Sequence, residues 1–170
     1  FDQVIVNANR ILGSDLVTNV EKIEAHYFAG QAHLGNNNID KAYDAFSKAS
    51  ALTTNEIGVE SRFHMADILF QKGKLDESKA KCQEIINDMP AYEEWIVRSY
   101  ILLADISAAK GDFAQAKATL NSIIDNYKGD PALVELAKQK LEQIEQMEKS
   151  GRRKPSTDTN DDEELNFDNN

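Results

Sequence analysis

Residues 39–49 read IDKAYDAFSKA, and the same pattern returns as LDESKAKCQEI at 75–85 and as FAQAKATLNSI at 113–123. A fainter copy, VIVNANRI, occupies residues 4–11. The equivalent positions Val4, Ala42, Ser78 and Ala116 are separated by 38, 36 and 38 residues. A nearly constant period of this length predicts a stack of repeated supersecondary units.

Each copy carries the apolar pattern of a helix. Four residues beyond the first ladder stand Ala8, Phe46, Cys82 and Leu120, and three residues further stand Ile11, Ala49, Ile85 and Ile123. Offsets of four and seven residues lie on one face of an α-helix. A ladder of small residues, Gly30, Ala66 and Ala104, marks a second helix upstream in each unit. Small side chains at these positions permit the two helices to approach closely.

The residues between the paired helices predict tight turns. Asn37, Gly73 and Gly111 are of the types that best tolerate a left-handed backbone at a helix C-terminus. An apolar residue follows two positions later, as Ile39, Leu75 or Phe113, and can close the turn against the next helix. This reading predicts helices at about 2–12, 18–35, 39–52, 56–72, 75–88, 92–110, 113–127 and 131–149.

Composition limits the class of protein. The 170 residues include only three prolines and eight glycines, and β-branched alternation is rare, which favours an all-α fold. A formal net charge of −10 argues against nucleic-acid binding, which depends on a basic surface. No apolar run approaches the roughly 20 residues of a membrane span. With one cysteine, Cys82, the chain has no internal disulfide and no thiolate metal cluster, so the redox compartment stays open.

The chain divides near residue 150. Residues 1–150 form the predicted repeat domain: a half-repeat at 1–17, repeats at about 18–55, 56–91 and 92–130, and a capping helix at 131–149. Residues 151–170 hold three basic and six acidic side chains and predict a flexible acidic tail. A half-repeat leaves an apolar face uncovered. We therefore expect that the chain begins inside a longer solenoid or that another molecule covers its start.

These residues resemble the tetratricopeptide repeat family. The second-helix signature A-x3-F is present unaltered as Ala42 and Phe46, and GDFAQAKATLNSIIDNY at 111–127 is the most family-like stretch. The resemblance implies a right-handed α-α superhelix of helix-turn-helix repeats. The period exceeds the family's usual 34 residues and resembles that of bacterial cell-envelope members. This implies an envelope or periplasmic location, and the cytoplasm stays open.

The resemblance also implies where a ligand binds, because the first helix of each unit lines the concave face in this family. The groove residues carried over by register are Glu24, Tyr27, Gln31, Leu34, Glu60, Phe63, His64, Asp67, Phe70, Arg98, Ile101 and Asp105. Aromatic anchors beside acids suit a peptide with apolar and basic side chains. The family's carboxylate clamp is not reproduced, since Tyr27, Phe28, Phe63 and His64 occupy its positions.

Three functions follow from this reading. The first is a non-enzymatic scaffold that binds a protein or peptide in the groove, without a cofactor or metal. The second is a structural spacer or a section of a larger envelope assembly, with self-association through the N-terminal face. The third, an enzyme using Asp67 and Asp105 as an acid and base pair, has no supporting motif. His26, His33 and His64 do not form a set with metal-ligand spacing.

Overall fold

The computed structural model describes residues 1–151, which form eight α-helices and no strand. The helices are α1 Asp2–Leu12, α2 Asn19–Gly35, α3 Ile39–Leu52, α4 Glu56–Gln71, α5 Leu75–Asp88, α6 Glu93–Ala109, α7 Phe113–Asn126 and α8 Pro131–Gly151. Their ends differ from the predicted ones by at most two residues. The all-α prediction is confirmed. The predicted acidic tail lies outside the described residues except for Gly151.

The three tight turns share one backbone conformation. Asn37, Gly73 and Gly111 have φ angles of 57°, 72° and 84°, so the left-handed turn residue predicted for each unit is confirmed. In every turn the N–H of the next residue donates to the carbonyl five residues earlier: Asn38 to His33, Lys74 to Leu69 and Asp112 to Ser107. These bonds satisfy carbonyls that the helix end leaves without partners. The turns therefore join α2 to α3, α4 to α5 and α6 to α7 as equivalent hairpins.

The helices form two layers. Consecutive helices pack against each other, and the even-numbered helices also contact one another in the order α2, α4, α6 and α8. Among the described residues, α1, α3, α5 and α7 make no such contacts with each other. The even-numbered helices are therefore closer together and line the inner, concave side of the stack. This is the layer in which the groove residues were predicted.

Each of the helices α2, α4 and α6 presents one stripe of residues, here called the covering stripe, to the groove between the next two helices. Its members are Tyr27, Gly30 and Leu34 in α2, Phe63, Ala66 and Phe70 in α4, and Ile101, Ala104 and Ala108 in α6. Each stripe packs in a cluster with the following outer helix. The middle position is small for a steric reason: a Cβ on Gly30 would lie 2.7 Å from the Phe46 ring.

Cys82 stands where the first hairpin has Phe46, and it is fully buried. Burial raises the pKa of its thiol to about 12. A thiol in this state is a small core residue without nucleophilic character at neutral pH. The position of Cys82 in the apolar ladder of the repeat thus belongs to the core.

The last helix, α8, closes the C-terminal end of the stack. Leu133, Ala137 and Ile144 are buried against the α6–α7 hairpin, so α8 covers the apolar face of that hairpin. The positions equivalent to a covering stripe are Gln139, Glu142 and Gln146, which are all polar and exposed. Terminal units of helical stacks require such a polar outer face. Within residues 1–151, no helix combines the length and apolar character that a membrane crossing requires.

At the other end, α1 occupies the position of an outer helix. The Nδ2 of Asn36 donates to Oδ1 of Asp2 at 2.7 Å. The equivalent bonds in the next two units join Lys72 to Asp40 and Lys110 to Asp76. α1 is thus the second helix of a hairpin and has no inner helix before it among the described residues. Val4, Ile11 and Phe28 are exposed at this end.

Candidate functional site

A pocket opens on the concave side between α4, α6 and α8. Its cavity volume is about 220 Å³, and its lining residues are Phe63, Asp67, Arg98, Ile101, Leu102, Asp105, Leu136 and Lys140. Five of these residues were predicted from the sequence as groove residues. α4, α6 and α8 each supply part of the wall because they are neighbours in the inner layer. We call this cavity the concave pocket.

An ion pair spans the concave pocket. Lys140 Nζ lies 2.7 Å from Asp105 Oδ2, and both side chains are largely buried. Burial raises the pKa of Asp105 above its ordinary value of 3.8, the neighbouring Asp67 adds to the rise, and Lys140 opposes it. Asp67 accepts a hydrogen bond from Gln71 Nε2 at 2.8 Å. The two carboxylates are therefore held by different kinds of partner, a cation for Asp105 and a neutral amide for Asp67.

Aromatic rings and a guanidinium border the same pocket. The ring centroids of Phe63 and Trp95 are 5.5 Å apart, and the Arg98 guanidinium carbon lies 5.3 Å from the Trp95 ring centroid. Arg98 Nη2 and Nε also donate to Glu94 Oε1 at 2.8 and 3.1 Å. Glu94 thus neutralises the charge of Arg98. The Arg98 guanidinium also lies over the Trp95 ring, whose face attracts a cation. Trp95 is the only tryptophan of the chain.

A second group of predicted groove residues packs together between α2 and α4. Gln31 Nε2 donates to the Tyr27 hydroxyl at 2.6 Å. Burial is the main cause that raises the pKa of that hydroxyl, and the Glu60 carboxylate raises it further. The His64 ring stacks on Phe46 with centroids 4.6 Å apart, and burial lowers its pKa despite the opposing effect of Glu60. His64 is therefore neutral at pH 7 and acts here as a packing residue.

Three predicted groove residues lie away from both groups. Leu34 and Phe70 are half-buried in the clusters between successive hairpins, where they belong to the covering stripes. Glu24 is exposed and lines a different groove between α1 and α2, here called the terminal groove. Ile101 belongs to the concave pocket but is only 4% exposed, so it forms the floor. The structure thus places five of the predicted groove residues in the concave pocket and the other seven outside it.

Three lining residues, Leu102, Leu136 and Lys140, and the neighbouring Trp95 were not predicted. Leu136 follows the predicted Arg98 by 38 residues, so for Leu136 the repeat period contained the signal. Lys140 follows Leu102 by the same interval, and the register did not assign Leu102 to the groove. Trp95 precedes the first residue that the register assigned to the groove in α6, and only its side-chain contact with Phe63 brings it to the pocket.

The concave pocket brings apolar and charged side chains together. Its floor is apolar, its wall carries two acids and two cations, and Lys140 holds Asp105 in place. Among residues 1–151, no group of three or more His, Cys, Asp or Glu side chains is arranged to hold a metal ion. Burial lowers the pKa values of His26 and His33 on the outer side of α2.

The stack of hairpins defines a helical-repeat scaffold, and residues 98–130 match the family model of the tetratricopeptide repeat. The match covers most of α6, all of α7 and the loop that follows, so the resemblance seen in the sequence is confirmed. This repeat is generally a protein-interaction module without enzymatic activity. No curated protein and no solved structure matches the chain.

Proposed function

We propose that this protein is a non-enzymatic scaffold that binds a segment of a partner protein in the concave pocket. The observation that carries the proposal is the convergence of α4, α6 and α8 on one cavity with an apolar floor and charged walls. Such cavities bind by burying an apolar anchor while a few polar groups fix its orientation.

The charges of the pocket determine which residues suit it. Arg98 is paired with Glu94, and Lys140 is paired with Asp105. Asp67 is bonded to the neutral amide of Gln71 and keeps its negative charge available to a ligand. The favoured ligand therefore has an apolar side chain for the floor formed by Ile101 and Leu102, and a Lys or Arg near it for Asp67.

Peptide selection against the full chain tests this proposal. Peptides enriched from a random displayed library are expected to combine an apolar residue with Lys or Arg. Their binding should change the fluorescence of Trp95, the single tryptophan, because its ring contacts Phe63 in the pocket wall. Asp67→Asn should lower the affinity of the protein for these peptides about tenfold, since a charged hydrogen bond contributes roughly 1.5–3 kcal/mol to binding.

Asp125→Asn supplies the matched control because Asp125 is exposed on the outer helix α7. It should leave the affinity unchanged. Peptides that bind the Asp67→Asn protein as tightly as the unaltered one, with no change in Trp95 fluorescence, would place the binding surface elsewhere.

A second function, a section of a larger assembly held through its ends, is favoured by the exposed apolar residues of α1. A partner that is captured equally by the Asp67→Asn protein but lost on Val4→Glu would support this function over the first. Val4 is 41% exposed, so the substitution is compatible with the fold.

A further inference from the structure

A cavity of about 310 Å³ lies on the outer side of the stack, between α1 and α3 and behind α2. We call it the first outer groove. Its apolar lining residues, which are buried or half-buried, are Ile5, Leu12, Ala29 and Ala45. Its basic lining residues are His26, His33, Lys41 and Lys48. The first outer groove shares no residue with the concave pocket.

The third hairpin has an equivalent groove between α5 and α7, behind α6, with a volume of about 300 Å³. Its lining residues at the positions of His26, His33 and Lys41 are uncharged: Tyr100, Ser107 and Gln115. Both grooves are bounded by an outer helix on each side. The cavity therefore belongs to the fold, and only the basic side chains are particular to the first outer groove. Function on a shared scaffold resides in such local differences.

The equivalent positions behind α4 carry a different charge pattern. Glu77 and Glu84 replace the two lysines. Arg62 replaces the first histidine, and its Nη2 donates to the carbonyl of Ser50 at 2.9 Å. Lysine or histidine at all four positions thus occurs only in the first outer groove. It is a basic cavity on a chain whose formal net charge is −10.

The histidines and lysines of the first outer groove form two pairs. Burial lowers the pKa of His33, and the charge of Lys41 lowers it further. Burial likewise lowers the pKa of His26, which Lys48 also lowers and Asp44 raises. Each imidazole therefore lies beside the charge of one lysine. Because the two histidines are seven residues apart on α2, the two pairs lie about 10 Å apart along the helix.

The pair of His33 and Lys41 is the better prepared for an anion. Lys48 is paired with Asp44 at 2.7 Å, whereas Lys41 has no ion pair with a carboxylate of residues 1–151. Nδ1 of His33 is buried and has no hydrogen-bond partner in the same part of the chain. Because a buried N–H without an acceptor costs free energy, the neutral ring carries its proton on Nε2. His33 therefore offers an N–H donor to the cavity that it lines, beside an available cation.

We propose that the first outer groove binds an acidic segment of a partner protein. One carboxylate of the segment lies between His33 and Lys41, and a second lies about 10 Å away beside His26. An apolar side chain between them covers the apolar lining of the groove. Charge complementarity selects this ligand. Two separated donor pairs suit two carboxylates better than a single phosphate group, and the net charge of −10 repels a nucleic acid.

A short peptide provides the probe. Acetyl-Glu-Glu-Leu-Glu-Glu-amide carries the proposed groups, and acetyl-Gln-Gln-Leu-Gln-Gln-amide is its matched control. The chain has three histidines, so NMR titration of the full chain at pH 7 gives three separate reporters. The ring signals of His26 and His33 should shift saturably, whereas His64, which stacks on Phe46, should not respond. The control peptide should bind at least about tenfold more weakly, because it lacks the charged hydrogen bonds.

Protein variants identify the surface. Lys41→Gln and His33→Leu should each reduce the affinity for the Glu peptide about tenfold. Lys79→Gln is the matched control, since Lys79 is also an exposed lysine of an outer helix and lines the equivalent groove behind α6. Asp67→Asn should bind the peptide normally, which separates this result from the concave pocket. Circular dichroism establishes that each variant keeps its helices.

Four results would overturn the proposal. The first is the absence of saturable shifts at His26 and His33. The second is equal binding of the Glu and Gln peptides, and the third is an equal loss of affinity in Lys41→Gln and Lys79→Gln, which would indicate a general charge effect. The fourth is tighter binding when the acidic residues 161–164 are replaced together by their amides, because the occupant would then be the chain's own acidic segment.

Discussion

At its N-terminal end the stack exposes Val4, Ile11 and Phe28, whereas at its C-terminal end the outward positions of α8 are Gln139, Glu142 and Gln146. α1 occupies the place of an outer helix, and α8 occupies the place of an inner one. The two ends therefore present different surfaces, an apolar groove between two helices at one end and the polar face of a single helix at the other.

The comparison shows how a repeat protein determines where its stack stops. A covering stripe with a small central residue continues the stack, because it lets the next helix approach. A polar stripe at the same positions ends it, because burial of Gln and Glu side chains without partners costs free energy. Only the C-terminal end carries this stop signal among the described residues.

The largest expected effect is a change in the assembly itself. Gln139→Tyr, Glu142→Leu and Gln146→Leu together give α8 an apolar stripe like those of α2, α4 and α6, which can pack in the terminal groove of another copy. We expect the variant to associate head to tail as its concentration rises, since the two complementary surfaces lie at opposite ends. Sedimentation velocity measures this association, and adding Val4→Glu should reverse it. A variant that stays monomeric at every concentration would show that the stripe alone does not continue the stack.

A substitution in the interior of the stack gives the reference value with which losses of stability at the two ends can be compared. Phe46 is completely buried between α2 and α4, so Phe46→Ala should lower the free energy of unfolding by about 3–5 kcal/mol. Urea unfolding followed by circular dichroism measures the loss. Gly30→Ala in the same variant should recover part of it, because the added methyl group points toward the space that the ring leaves. A loss below about 1 kcal/mol would contradict the packing described here.

The loss of stability on truncating one isoleucine at each end compares the two ends directly. Ile144 in α8 is 2% exposed, and Ile144→Ala should cost about 2–5 kcal/mol. Ile11 in α1 is 37% exposed, and Ile11→Ala should cost about 1 kcal/mol or less. The same urea measurement applies to both. Equal losses would mean that the terminal groove is covered in solution, for example by another copy of the chain.

The ion pair at the capped end predicts a pH dependence. The pKa of Asp105 is raised in the folded state, so its contribution to stability is present below the unfolded value of 3.8 and is lost as pH rises through the folded pKa. Lys140→Met removes the cation that limits this rise. The pKa of Asp105 should then increase further, as measured by NMR titration of its carboxyl carbon. The variant's loss of stability should grow as pH rises from 3.8 toward neutrality.

Lys138→Met is the control for this prediction, because Lys138 is an exposed lysine of α8 whose ion pair with Glu135 is at 3.8 Å. It should leave the titration of Asp105 unchanged. An unchanged titration in the Lys140→Met protein as well would mean that solvent or Asp67, and not Lys140, determines the charge of Asp105.

Local signals allowed most of the fold to be predicted. The ladders through Ala42 and Phe46 determined the helix faces, and Asn37, Gly73 and Gly111 determined the turns, because each depends on residues close in sequence. The predicted site was less complete. Lys140 enters the pocket from a capping helix whose apolar face was read only as a cover for the core. Trp95 reaches the pocket through a contact with another helix, which local spacing does not contain.

The contact pattern also governs how the molecule opens. Within residues 1–151, no helix contacts another that is more than two helices away along the chain. Each hairpin is therefore held only by its immediate neighbours, and local opening spreads from an end inward. Amide hydrogen exchange should be fastest in α1, slower through α2 and α3, and slowest in the hairpins beneath α8. Any ligand that binds at one end of the stack would then slow exchange progressively along the chain, and its binding would be detected several hairpins away.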